Sequence, residues 1–190
     1  KHCIASGAVM KALAERLCQQ GRARQVTAAP PNSVLCGVAS DLPHSPSPDH
    51  SDEILAWELA GLLHDADAES TTPEDQGAEV GRWFEEGGKY ANQLPQEFKE
   101  QIIHAMAAHN EMTGVMCESP MDWALYAGEK LTGLIVATTL VLPSKRLADV
   151  TNDMVLRRFK EKSFAKGAKR ENIAQCEKLG LPLNEFVGIC

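Results

Sequence analysis

The stretch Ala60-Gly61-Leu62-Leu63-His64-Asp65-Ala66-Asp67 carries an apolar run into a histidine and a carboxylate side by side. An imidazole nitrogen and a carboxylate oxygen on one rigid element form a ligand mix suited to Zn, Mn, Fe, Ni or Co. The dipeptide alone means little, since His-Asp arises by chance in many chains. Asp67 and Glu69 follow closely enough to serve as proton-transfer groups. His104 and His109 are separated by about 140° around a helix, so both can face one centre only if the helix ends between them. Glu129 lies in a largely apolar helical run flanked by Gly128 and Gly133, small residues that let another helix or a metal site come close. A carboxylate buried there is expensive unless a cation answers it. Lys130 could neutralise a phosphate, yet helical geometry turns it about 100° from Glu129.

The elements that must position these groups read as helices throughout. Met10, Leu13 and Leu17 recur at helical spacing over residues 1 to 20, with His2 in the first visible turns. That pattern is already under way at Lys1, which predicts chain preceding it. Residues 22–50 break the periodicity with Pro30-Pro31 and Pro43-His44-Ser45-Pro46-Ser47-Pro48 and predict an inserted Pro-rich surface loop. His44, Asp49 and His50 are expected to lie on that surface rather than to bind a metal. Ser51-Asp52-Glu53 predicts a capped start, followed by a buried face of Ile54, Leu55, Leu59, Leu62 and Leu63. Thr72-Pro73 predicts another start, running through Val80, Trp83 and Phe84 to Gly87-Gly88. Leu94-Pro95 opens a helix with Phe98, Ile102, Ile103 and Met106, and Ser119-Pro120-Met121-Asp122 opens one ending near Pro143. Lys145 and Arg146 follow in a loop that either touches a phosphate or closes a helix. Helices over 152–166 and 169–179 and a short one from Leu181 complete the chain. No alternating β-type segment is present, so the predicted fold is all-α, a single domain of about seven or eight helices.

Composition narrows the function. A chain of 190 residues with 44% hydrophobic content supports one substantial core. A net charge of −7 argues against nucleic acid as a partner. The most apolar run, Leu131 to Leu142, is too short to span a bilayer, so no membrane partner is expected. Six scattered cysteines without a Cys-x-x-Cys pair point to a reducing, cytoplasmic setting. Cysteines and Trp57 are candidate interface residues for a homo-oligomer.

The segments around Lys1-His2-Cys3, His64-Asp65 and Ala124–Ile135 together resemble the HD superfamily of metal-dependent phosphohydrolases, with a gap near residues 22–50. The resemblance implies a helical bundle around a metal site, with His2, His64, Asp65 and Glu129 as ligands. Glu129 stands where the family has Asp, and Gln76 where many members carry a histidine for a second metal or the substrate. His109 matches a position near the substrate pocket. The implied cofactor is one divalent ion (Mn, Fe, Co, Ni, Zn or Mg). The implied reaction is hydrolysis of a small phosphate ester, nucleotides among the candidates, by metal-activated water. The alternative is a catalytically weak or inactive domain of the same fold that binds a nucleotide or a partner protein.

Overall fold

A computed structural model describes residues 2–23 and 50–190, and these form helices and turns with no strand. In chain order they are α1 (His2–Gln19), α2 (Ser51–Leu63), α3 (Ala78–Phe84), α4 (Lys99–Ala108), α5 (Pro120–Leu140), α6 (Asn152–Lys160), α7 (Arg170–Ile173) and α8 (Leu183–Ile189). Short 3-10 turns occupy Glu111–Thr113, Leu147–Asp149 and Ala174–Leu179. The all-α expectation holds. The inserted loop expected at 22–50, with His44 and Asp49, lies almost wholly outside the described residues.

α1 and α2 run antiparallel. His2 meets Asp65, Gly7 meets Leu62, Lys11 pairs with Glu58 at 3.2 Å, and Cys18 lies near Glu53. Their approach is close because Gly61 has no side chain: a Cβ there would come within 2.6 Å of the Ser6 carbonyl oxygen. That contact sets the distance between His2 and His64. α5 is the central helix, packed against α1, α4, α6 and α7. Its Ala124, Leu125, Ala127, Leu131 and Leu134 are fully buried with Leu13, Trp57, Ile102 and Phe186. Each large side chain buried in this way contributes about 1.5–3 kcal/mol. Trp57 is therefore core, not the interface residue its chemistry suggested. No described helix is long and apolar enough to cross a membrane.

Several helix boundaries differ from expectation, each for a visible reason. Ser119 and Asp122 form the predicted capping box, with Pro120 in the first turn. α2 starts at Ser51, but His50 is its N-cap and supplies no side-chain cap bond. Leu55 faces outward at 45% exposure, while Ala56, Trp57 and Ala60 form the buried face. Thr72-Pro73 makes a turn, and α3 begins only at Ala78, since Gly77 has a φ of 87° that no right-handed helix accommodates. α4 begins at Lys99 after a turn in which Phe98 N–H donates to the Pro95 carbonyl at 3.0 Å. α6 stops at Lys160 rather than 166. There the Arg170 guanidinium draws in the carbonyls of Arg158, Phe159, Glu161, Phe164, Ala165 and Ala168.

Candidate metal centre

Helix ends build the centre. His2 comes from the first turn of α1, and His64 and Asp65 from the end of α2. His109 follows the last residue of α4, and Glu129 comes from mid-α5. The three imidazoles form a row, with ring centroids 5.4 Å apart for His2 and His64 and 4.9 Å for His64 and His109. Asp65 lies against all three. Its Oδ2 is 3.2 Å from His64 Nε2 and 3.6 Å from His2 Nε2, and its Oδ1 is 3.5 Å from His109 Nε2. Glu129 joins through His2, with Oε1 3.6 Å from Nε2.

The orientation of two rings carries the chemistry. His64 Nδ1 donates to the Gly61 carbonyl at 2.9 Å, and His109 Nδ1 donates to the Met106 carbonyl at 2.5 Å. A carbonyl oxygen only accepts, so the proton is fixed on Nδ1 and Nε2 is left to face Asp65. A backbone carbonyl that holds one ring nitrogen is the usual support of a metal-binding histidine. His64 Nε2 is fully buried and has no hydrogen bond of acceptable geometry. A lone pair aimed at a carboxylate 3.2 Å away repels it unless a proton or a cation lies between them. The residues present therefore fit a metal ion.

Burial would raise the Asp65 carboxyl, but the His109 and His64 rings, when they also carry a proton on Nε2, outweigh it and hold the group well below the usual carboxylate range. Burial likewise opposes ionisation of Glu129, and His2 and Lys130 overcome it, bringing its carboxyl to about 2. The Glu129 carboxylate in turn holds the His2 imidazole above its ordinary value, against the effect of burial. Contrary to the helical-wheel expectation, Lys130 Nζ bends back to pair with Glu129 Oε2. Of the two glycines beside Glu129, Gly128 faces Val9 of α1, whereas Gly133 faces open space.

A cavity of about 350 Å³ opens beside these groups, lined by Asp65, Gln76, His109, Glu111, Lys130 and Lys169 among others. Gln76 donates from Nε2 to Asp65 Oδ1 at 2.7 Å, supporting the carboxylate where a second-metal histidine would otherwise stand. Asn110 fixes that loop by donating to the Pro73 and Gln76 carbonyls. Gly77 lets it pass behind His109, since a Cβ would fall 2.1 Å from the Met106 oxygen and 2.8 Å from His109 Cε1. At the mouth, Lys169 pairs with Glu111 at 2.6 Å, and Tyr126 and Asn172 donate to the same carboxylate.

Two groups expected to move protons are placed elsewhere. Asp67 is fully buried and does not line the cavity. Its Oδ2 accepts from Gly77 N–H at 2.8 Å and Val80 N–H at 3.1 Å, so it holds the start of α3 from a distance. Glu69 is exposed beyond the cavity. His104 Nδ1 contacts Asp122 Oδ2 at 3.0 Å and has a structural role. Lys145 and Arg146 do not reach the cavity. Sequence reading missed Lys169, Glu111 and Asn110, whose positions depend on loops without periodic signal.

Comparison with protein-family models, with curated proteins and with solved structures returns no match for this chain.

Proposed function

We propose that the chain is a metal-dependent phosphohydrolase of the HD type, acting on a small phosphate ester, nucleotides among the candidates. The observation that supports it most is the pair of carbonyl-anchored imidazoles, His64 and His109, both presenting Nε2 to Asp65. His2, His64, Asp65 and Glu129 would hold one divalent ion, chosen from Mn, Fe, Co, Ni, Zn and Mg. When bound, such an ion polarises a phosphoryl oxygen and brings the pKa of water towards about 7.

The chain's own residues supply the rest. Gln76 keeps Asp65 oriented through the 2.7 Å hydrogen bond. His109 holds its neutral tautomer through Met106. Once protonated at Nε2, it can pass that proton to the departing oxygen. Lys130 and Lys169 line the cavity and exchange their carboxylate partners for phosphate oxygens when substrate enters. Asp67 acts by holding the loop that carries Gln76, as a positioning residue.

One observation favours a second reading, a domain that binds a phosphorylated ligand without turnover. Lys130 already occupies the Glu129 carboxylate, which weakens that residue as a ligand. Elemental analysis of the protein beside its His64→Ala variant, with a phosphate-release screen on both, separates the readings. One equivalent of metal per chain that is lost with His64, together with phosphate release, is the expected result, whatever metal another site retains. Ligand binding without release selects the second reading. No metal in either sample, and no rescue by added Mn, Co, Ni or Zn, overturns the first.

A further inference from the structure

We infer that Cys18, His50 and Glu53 form a second metal site, of zinc type, which clips the C-terminal end of α1 to the N-terminal end of α2. It does not rest on the phosphohydrolase reading. The Cys18 sulfur, a His50 ring nitrogen and a Glu53 carboxylate oxygen all lie within 4.8 Å of one another. Zinc bonds of about 2.0–2.3 Å give tetrahedral edges of about 3.5 Å, so closure needs side-chain shifts of about 1 Å.

Burial and ligand type support a cation here. Glu53 is 4% exposed and Cys18 8%, so a carboxylate and a thiol are buried at the same helix junction. Sulfur in the ligand set selects zinc-like ions and disfavours Mg, Ca and Mn. The His50 side chain is 31% exposed, which leaves an entry path and a fourth position for solvent.

A plainer account exists for part of the cluster. His50 Nδ1 is 3.2 Å from Glu53 Oε2, an ordinary pair three residues apart at a helix start. Packing in the apolar core accounts for Cys18 as a small hydrophobe but gives no reason for its sulfur to lie against that pair. The position of the cluster adds one: α1 ends and α2 begins there, so a bound ion closes the long connection between them. It also fixes the helix pair whose far ends carry His2 and His64.

The test is titration of the full chain with Co(II), read by the thiolate-to-cobalt charge-transfer absorption, then displacement by Zn(II). The absorption is expected in the protein and in His64→Ala and Cys3→Ser, and is expected to vanish in Cys18→Ser. Zn(II) should raise the unfolding midpoint of the His64→Ala protein, and adding His50→Ala, a change at a partly exposed side chain, should remove that rise. His50→Ala carries the test if Cys18→Ser does not fold. Cobalt bound without the charge-transfer absorption overturns the proposal. So does absorption that survives Cys18→Ser or disappears in Cys3→Ser or His64→Ala, or a zinc-induced rise in the His64→Ala protein that adding His50→Ala leaves intact.

Discussion

Two cavities of nearly equal size lie against α5, and they differ in almost everything else. The one beside Asp65 has about 350 Å³ and the one near the C-terminal half of α5 about 340 Å³. The first is walled mainly by carboxylates, amides, amines and the His109 imidazole. The second is walled mainly by Ala5, Val9, Ile135, Val136, Val155 and Val187. Thr132, a polar residue in its wall, gives its hydroxyl proton to the Gly128 carbonyl of its own helix at 2.8 Å. Volume does not distinguish them. What does is where helices end: α2 and α4 finish at the first cavity and leave His64 and His109 hydrogen-bonded to the carbonyls of their last turns. Those ends turn an ordinary gap between helices into convergent polar chemistry.

The largest test of that contrast is Gly77→Ala. A side chain at a φ of 87°, 2.1 Å from the Met106 oxygen, should cost about 2–4 kcal/mol and displace His109. Denaturant unfolding measures the cost, and elemental analysis measures metal retained. Gly133→Ala, which meets open space, is the control and should be neutral or slightly stabilising. Equal losses in both would mean that the loop behind His109 has no special role. Next is Gln76→Leu, which removes the hydrogen bond to Asp65. Metal affinity should fall about 10- to 100-fold with stability nearly unchanged, as measured by competition with a chelator. Unchanged affinity would separate Gln76 from the centre. The smallest effect belongs to Val136→Thr in the apolar cavity, a side chain 47% exposed. Stability should shift by no more than about 0.5 kcal/mol, and metal content and phosphate release should hold. Loss of either would erase the distinction between the two cavities.

Much of this arrangement was legible in the sequence, and the limits are physical. Local signals were reliable where the chain satisfies itself locally, as at Ser119-Pro120-Asp122, whose capping box uses neighbours only. The apolar periodicity of α1 and the run into His64 located the helices that present His2 and the His-Asp pair. The signal at Thr72-Pro73 misled because a distant group intervenes. Asp67 takes the N–H groups of Gly77 and Val80, and the helix starts where that carboxylate lets it. The same long-range bond removes Asp67 from the proton-transfer candidates. Lys130 defeated the wheel because a long side chain can return to its neighbour, whatever direction its Cα–Cβ bond takes. Lys169 and Glu111 lie 58 residues apart, a pairing that no window of sequence encodes.

The guanidinium of Arg170 has a further bearing on the cavity. It offers five N–H donors and meets six carbonyl oxygens between Arg158 and Ala168, so at least one donor is shared. The stretch that brings Gly167 and Lys169 to the cavity rim is thus tied to a single knot. Freeing one carbonyl leaves the others in place, and freeing the arginine releases all of them. One side chain therefore holds the whole wall, and Lys169 projects from a segment fastened at its base.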